Sequence, residues 1–235
     1  VLTKKKKLSK KQIKEDKLVT FYTQVLEKFE EYQKQVFIAA GIIVVIVAGI
    51  YIYSIKAEES EAKATAELAK VLPAIEQKQY QQAIDGQPGT GVIGLKKLVE
   101  DYSGTESGEA AKLMLANAEF YLGNYDEALK YYESYSGEIR EMRAAAIAGQ
   151  AACYEEKGEY EKAGNLFEKA ANVFKLNANN PSYLVSAGRN YLKVNNFDNA
   201  RKVFETVKNE YENSNEARNI ERYLSKVEIM AQKAS

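Results

Sequence analysis

Apolar and polar positions alternate differently in three stretches of the chain. From Gln35 to Ile55 (QVFIAAGIIVVIVAGIYIYSI) there is no charged residue, and Ile42–Val47 is β-branched throughout. A helix rising ~1.5 Å per residue covers roughly 30 Å over that length, the hydrocarbon thickness of a bilayer. Tyr51 and Tyr53 fall near one end, where amphipathic rings favour the headgroup region. The pattern predicts a transmembrane helix. A buried core helix would need a second long apolar segment against which to pack, and the sequence offers none.

Ahead of this segment the period changes. Leu18, Phe21, Tyr22, Val25, Leu26, Phe29, Tyr32 and Val36 recur at spacings of three and four, one stripe of a helix whose other face carries acids and lysines. Residues 18–34 are expected to contact the membrane or a partner subunit, or else to extend the membrane helix straight into the cytoplasm.

Behind it the pattern repeats. Gly123-Asn-Tyr125-Asp-Glu-Ala128 returns as Gly158-Glu-Tyr160-Glu-Lys-Ala163 and as Asn195-Asn-Phe197-Asp-Asn-Ala200. The alanines are 35 and 37 residues apart, and an aromatic (Tyr132, Phe167, Phe204) follows each by four. Upstream, Ile147-x-x-Gln150-Ala151-x-x-Tyr154 and Leu184-x-x-Ala187-Gly188-x-x-Tyr191 fill a preceding helix. This spacing is similar to the tetratricopeptide repeat, a helix–turn–helix unit of about 34 residues. Its chemistry is packing. Small residues let two helices approach, aromatics fill the space toward the next unit, and Gly123 or Gly158 ends the first helix in a left-handed conformation.

A degenerate unit precedes the three repeats. It comprises a helix from Lys56 to Gln79 bent at Pro73, a copy of the turn at Tyr80-Gln-Gln-Ala83, an insertion over Asp85–Gly91 and a helix over Val92–Tyr102. No Gly-Lys-Ser/Thr follows the glycine-rich insertion, so it is not read as a phosphate loop. Residues 216–233 are expected to form a terminal helix with a polar outer face. The chain is therefore expected to be all-α, a transmembrane helix followed by a tetratricopeptide solenoid. The divisions are a basic tail (1–17), an amphipathic helix (18–34), the anchor (35–55), a linking helix with the degenerate unit (56–109), three repeats (110–212) and a cap (213–235).

Charge orients this layout. Lys+Arg and Asp+Glu are both 33, but residues 1–34 hold ten lysines against five acids, and residues 56–235 hold 23 bases against 28 acids. Lysine on one side of the anchor predicts a cytoplasmic N-terminal side and a periplasmic body, with the segment an uncleaved signal anchor. The run Lys4–Lys7 serves that topology, or draws the head to anionic lipid or an acidic partner. Histidine is absent and Cys153 is the one cysteine, which excludes His-based acid–base chemistry, an internal disulfide and His- or Cys-cluster metal sites. No cofactor, nucleic acid, small-molecule substrate or catalytic activity is expected.

The whole layout resembles the YfgM-like family of bacterial inner-membrane proteins, particularly versions from the Bacteroidetes and Chlorobi groups. Glu31-Tyr-Gln-Lys-Gln35, Gly94-Leu-Lys-Lys-Leu-Val-Glu-Asp-Tyr102 and Tyr183-Leu-Val-Ser-Ala-Gly188 carry the likeness, which covers roughly residues 20–235. It implies an ancillary subunit of the Sec translocon, working beside periplasmic chaperones on exported chains. The lysine run is longer here than in those relatives, and Glu119 stands where the second repeat normally has a packing aromatic.

Stacked repeats present a surface lined by their first helices. Helical phase places Leu113, Asn117, Phe120 and Tyr121 there in one unit, Glu155 in the next, and Arg189 and Lys193 in the last. Phe120 and Tyr121 are surplus to the packing positions and are expected to anchor a bound polypeptide, unless they pack on the degenerate unit. A second class of function is a structural subunit, held stoichiometrically in a membrane assembly through the stripe of Leu18, Phe21, Tyr22, Val25, Phe29 and Tyr32.

Overall fold

The computed structural model describes residues 10–234, with side chains from Val19 onward. The Lys4–Lys7 run and the side chain of Leu18 lie outside the described residues. The chain forms two compact units, residues 1–57 and 58–235.

Helix α1 (Lys10–Glu76) supplies all the described structure of the first unit. Residues 18–34 belong to this same helix, in line with the expectation of an extension of the membrane segment rather than a separate element. No proline or turn sequence falls between Lys10 and Leu72, so nothing interrupts the backbone ladder, and Pro73 lies one turn from the end. Residues 19–57 are exposed throughout. Among the described residues α1 is the one helix long and apolar enough to cross a membrane.

The second unit begins with the last turns of α1, where Ala64 and Val71 are buried. There follow α2 (Tyr80–Asp85), strands β1 (Gly86–Gln87) and β2 (Val92–Ile93), and α3 (Leu95–Asp101). The strands pair antiparallel, Gly86 with Ile93 and Gln87 with Val92. The helix expected from Val92 therefore starts only at Leu95, because Val92 and Ile93 are held in the ladder. Three helical pairs come next: α4 (Glu106–Tyr121) with α5 (Tyr125–Glu133), α6 (Arg140–Glu156) with α7 (Tyr160–Val173), and α8 (Asn180–Lys193) with α9 (Phe197–Glu210). A 3-10 turn (Ala217–Asn219) leads into α10 (Ile220–Ala234).

One turn geometry recurs four times. Lys78, Gly123, Gly158 and Asn195 have positive φ (58°, 82°, 79° and 57°), each two residues before the aromatic that opens the next helix. The following N–H, of Gln79, Asn124, Glu159 or Asn196, donates to the carbonyl five residues back at 2.8–2.9 Å. This closes orphan carbonyls at a helix end. Lys78 shows that the degenerate unit keeps the turn without its glycine.

The core follows the repeat. Ala83, Ala128, Ala163 and Ala200 are fully buried, as are Leu115, Ala151, Ala187 and Phe204. Rings lie directly over glycines of adjacent helices: a Cβ on Gly188 would meet the Phe204 ring at 2.4 Å, and one on Gly164 would meet Tyr191 at 2.8 Å. Three adjoining clusters run along the second unit. One lies beneath α2–α4, one joins α4, α5 and α6, and the largest spans α6 to α10 and takes in Ile220 and Val227.

Candidate partner-binding face

The first helices meet one another along one side of the repeats. Glu155, near the end of α6, places Oε1 3.4 Å from Lys193 Nζ at the end of α8. Lys193 also sits 4.1 Å above the centre of the Tyr160 ring, which opens α7. Beyond α8, a cavity of about 480 Å³ separates it from α10 and receives both Arg189 and Lys193. Glu155, Arg189 and Lys193 thus form one connected region.

The α4 residues are arranged otherwise. Leu113 is half-buried in the cluster that joins α4, α5 and α6. Asn117 is exposed, and its Oδ1 accepts from the Tyr132 hydroxyl at 2.6 Å. Phe120 is half-buried with its ring centroid 5.3 Å from that of Tyr125, so it is not a surplus ring. Tyr121 is 65% exposed, yet one face is covered: it stacks on Tyr80 of the degenerate unit, centroids 5.0 Å apart. Of the two expectations for these rings, packing on the degenerate unit describes Tyr121, whereas Phe120 packs on Tyr125 within its own helical pair. Only the outer face and edge of Tyr121 are open to a ligand.

Carboxylates on this side are individually partnered. Glu119 is buried in α4, where Tyr154 and Tyr191 stand in later units, and it accepts from Asn124 Nδ2 at 2.8 Å with Lys96 Nζ at 3.5 Å. Glu156 lies 3.5 Å from the Tyr125 hydroxyl. Nothing draws Glu119, Glu155 and Glu156 into a common acid–base site. Burial pushes the Cys153 thiol up to about 11, so it remains protonated at neutral pH and acts as a small apolar packing group.

In the first unit Phe21, Tyr22, Val25, Phe29 and Tyr32 are exposed along α1, with Phe29 and Phe37 edge-to-face at 6.5 Å. Sequence reasoning missed Arg222, Tyr223 and Lys226 of α10, which line the cavity opposite Arg189 and Lys193. Two bases four residues apart are legible as one helical face, but the sequence alone marks the segment only as a terminal cap.

The tetratricopeptide repeat-like domain family matches residues 28–229, and the chain belongs to that family. Domains of this class are protein–protein interaction modules. Among solved structures, a crystal structure of nearly identical TPR-like repeats, described as a candidate kinesin light chain of Podosopora anserina, is similar in fold. Its TM-score is 0.54 at 18% identity, over 74% of this chain and 88% of that one. At that identity the likeness concerns the fold alone. No curated protein matches the chain.

Proposed function

We propose that the protein is a membrane-anchored interaction module that binds polypeptide along the first-helix side of its repeats. In this reading α1 crosses a bacterial inner membrane with its lysine-rich end in the cytoplasm, and residues 58–235 lie in the periplasm. The observation that carries it is the coupling of a charged, partly exposed repeat surface, from Glu155 through Lys193 and Arg189, to a helix with 39 exposed residues before the repeats, 19–57, whose centre has no charge. The resemblance to translocon-associated proteins makes the export translocon, periplasmic chaperones and exported chains the favoured partners. An alkaline phosphatase reporter fused after residue 235, active only outside the cytoplasm, tests the topology. Activity supports the reading, and a stable but inactive fusion overturns it.

A second reading is favoured by the exposed Phe21–Tyr32 stripe, which suits a stoichiometric structural subunit of a membrane complex. Affinity purification of the intact protein with and without residues 1–34 separates the two. Partners that survive the deletion belong to the repeats; partners lost with it belong to the stripe.

A further inference from the structure

We infer that the cavity between α8 and α10 is a binding site for an acidic peptide segment carrying an apolar side chain between its carboxylates. The inference rests on the proposed polypeptide-binding role and specifies its ligand chemistry.

Four cations converge on this cavity of about 480 Å³: Arg189 and Lys193 from α8, Arg222 and Lys226 from α10. Each pair is spaced i, i+4, so both members project from the same side of their helix. Of the four, Lys193 alone has a carboxylate within ion-pair distance among the described residues, Glu155 at 3.4 Å. Glu221, the acid next to Arg222 on α10, is taken by Lys208 at 2.6 Å. Residues 56–235 carry more acids than bases, so this concentration of positive charge runs against the unit's average. Arg189, Arg222 and Lys226 stand together with no carboxylate at ion-pair distance among the described residues, and like charges so placed repel until an anion binds.

The walls between the cations are apolar. Leu192 is buried, and Tyr223 and Met230 are half-buried. Tyr223 is stacked on the fully buried Phe204 at 5.0 Å, so its ring is a fixed platform rather than a mobile side chain. The Arg222 guanidinium lies 5.9 Å from the centre of that ring, so charge and apolar wall adjoin; a bare phosphate would use the cations and make no apolar contact. A segment with two or more carboxylates flanking a Leu or Phe uses both. Lys193, which lines the cavity, reaches Glu155 of α6 on its other side, so the charge changes sign beyond α8 and a bound chain has a direction: acids over α8–α10, neutral or basic residues toward α6.

The test is fluorescence anisotropy on the full chain in detergent. The probe is a fluorescein-labelled octapeptide, Glu-Asp-Leu-Glu-Phe-Asp-Glu-Leu, beside a counterpart with every acid replaced by its amide. The expected result is saturable binding of the acidic peptide, at least tenfold weaker binding of the amide form, and weakening as salt rises from 50 to 300 mM. The exposed pair Arg222→Glu with Lys226→Glu should abolish binding of the acidic probe and confer binding of a lysine counterpart, with an unchanged melting curve. Arg189→Gln alone, a milder change, should weaken the acidic probe several-fold. Equal binding of the acidic and amide probes, or undiminished binding of the acidic probe by the charge-reversed protein, overturns the inference. Saturation by inorganic phosphate or glycerophosphoglycerol without peptide binding reassigns the cavity to phosphate or lipid headgroups, and also overturns it. If the charge-reversed protein keeps its partners in affinity purification, the interaction module stands and only this specificity fails.

Discussion

Tyr80 and Tyr121 stack with ring centroids 5.0 Å apart and planes 14° from parallel, which joins the degenerate first unit to the first regular repeat. The same junction recurs along the chain. Tyr125 meets Glu156 through its hydroxyl, and Tyr160 lies beneath Lys193. In each case the aromatic that opens one unit's second helix touches the residue that closes the next unit's first helix. The contact is chemically different each time, yet the backbone relationship holds.

Stacked rings add about 0.5–1.5 kcal/mol beyond the area they bury. A double-mutant cycle of Tyr80→Ala and Tyr121→Ala in thermal or denaturant unfolding should give a coupling of that size. Tyr121→Ala alone should lower stability by ~1 kcal/mol, since the ring is largely exposed. Phe120→Ala should cost more, ~2–3 kcal/mol, because that ring packs into the cluster with Tyr125. A larger loss for Tyr121→Ala than for Phe120→Ala would reverse this assignment.

Gly188 admits the Phe204 ring to its backbone. Gly188→Ala sets a methyl 2.4 Å from that ring, and the clash should destabilise the repeats by about 1–3 kcal/mol. Phe204→Leu in the same chain should recover part of the loss, read as a melting temperature above that of Gly188→Ala alone. Ala163→Glu, which buries a charge at a fully buried position, should cost several kcal/mol and offers no such rescue.

Glu109 and Lys112 form a buried ion pair on α4 that also holds the loop to α6. Lys112 Nζ donates to the Ser134 carbonyl at 3.1 Å, and the Ser136 N–H donates to Glu109 at 2.7 Å. Burial raises the Glu109 pKa, but Lys112 and the Ser136 N–H outweigh it and hold the carboxyl below the usual carboxylate value. Stability from this group is therefore complete above the unfolded carboxylate pKa, ~4.3, and is lost as pH falls through the lower folded value. Lys112→Met should cost about 3–5 kcal/mol at pH 7 by stranding the carboxylate, and less near pH 4, where Glu109 can take up a proton. Urea titrations at the two pH values check this. An equal cost at both would mean the carboxylate is not the stranded group.

Cys153 should resist alkylation by iodoacetamide in the native protein at pH 7.5 and react stoichiometrically in denaturant, because burial both shields the thiol and pushes its pKa to about 11. Mass spectrometry of intact and denatured samples reads the outcome directly. Rapid native labelling would mean that the cluster joining α4, α5 and α6 opens readily.

The repeat was legible because its signals are local. A small residue, a positive-φ turn and an aromatic at fixed spacing specify a pair of helices without reference to the rest of the chain, and Ala128, Ala163 and Ala200 are buried as that spacing requires. Lys78 escaped notice as a turn residue because its conformation is imposed by the surrounding backbone and not by its own preference. The pairing of Val92 and Ile93 across the insertion depended on β1, six residues away, and two-residue strands have no period to read. The candidate site was legible only in part. Helical phase placed Glu155, Arg189 and Lys193 on one side, but it could not choose between a free Tyr121 and one packed on the degenerate unit, because the connection between the two is of irregular length. Nor could it show that α10 would close the array and bring Arg222 and Lys226 opposite α8.

Site-specific photo-crosslinking in living cells tests whether partners engage the first-helix side of the repeats, as proposed. A photoreactive amino acid at Asn117 or Arg189 on the first helices is compared with one at Lys130 or Glu161 on the exposed surface of the second helices, all four positions being accessible. Polypeptide adducts are expected from Asn117 and Arg189, and few or none from Lys130 and Glu161. Adducts of equal yield from both sets, or adducts only from Lys130 and Glu161, would contradict it.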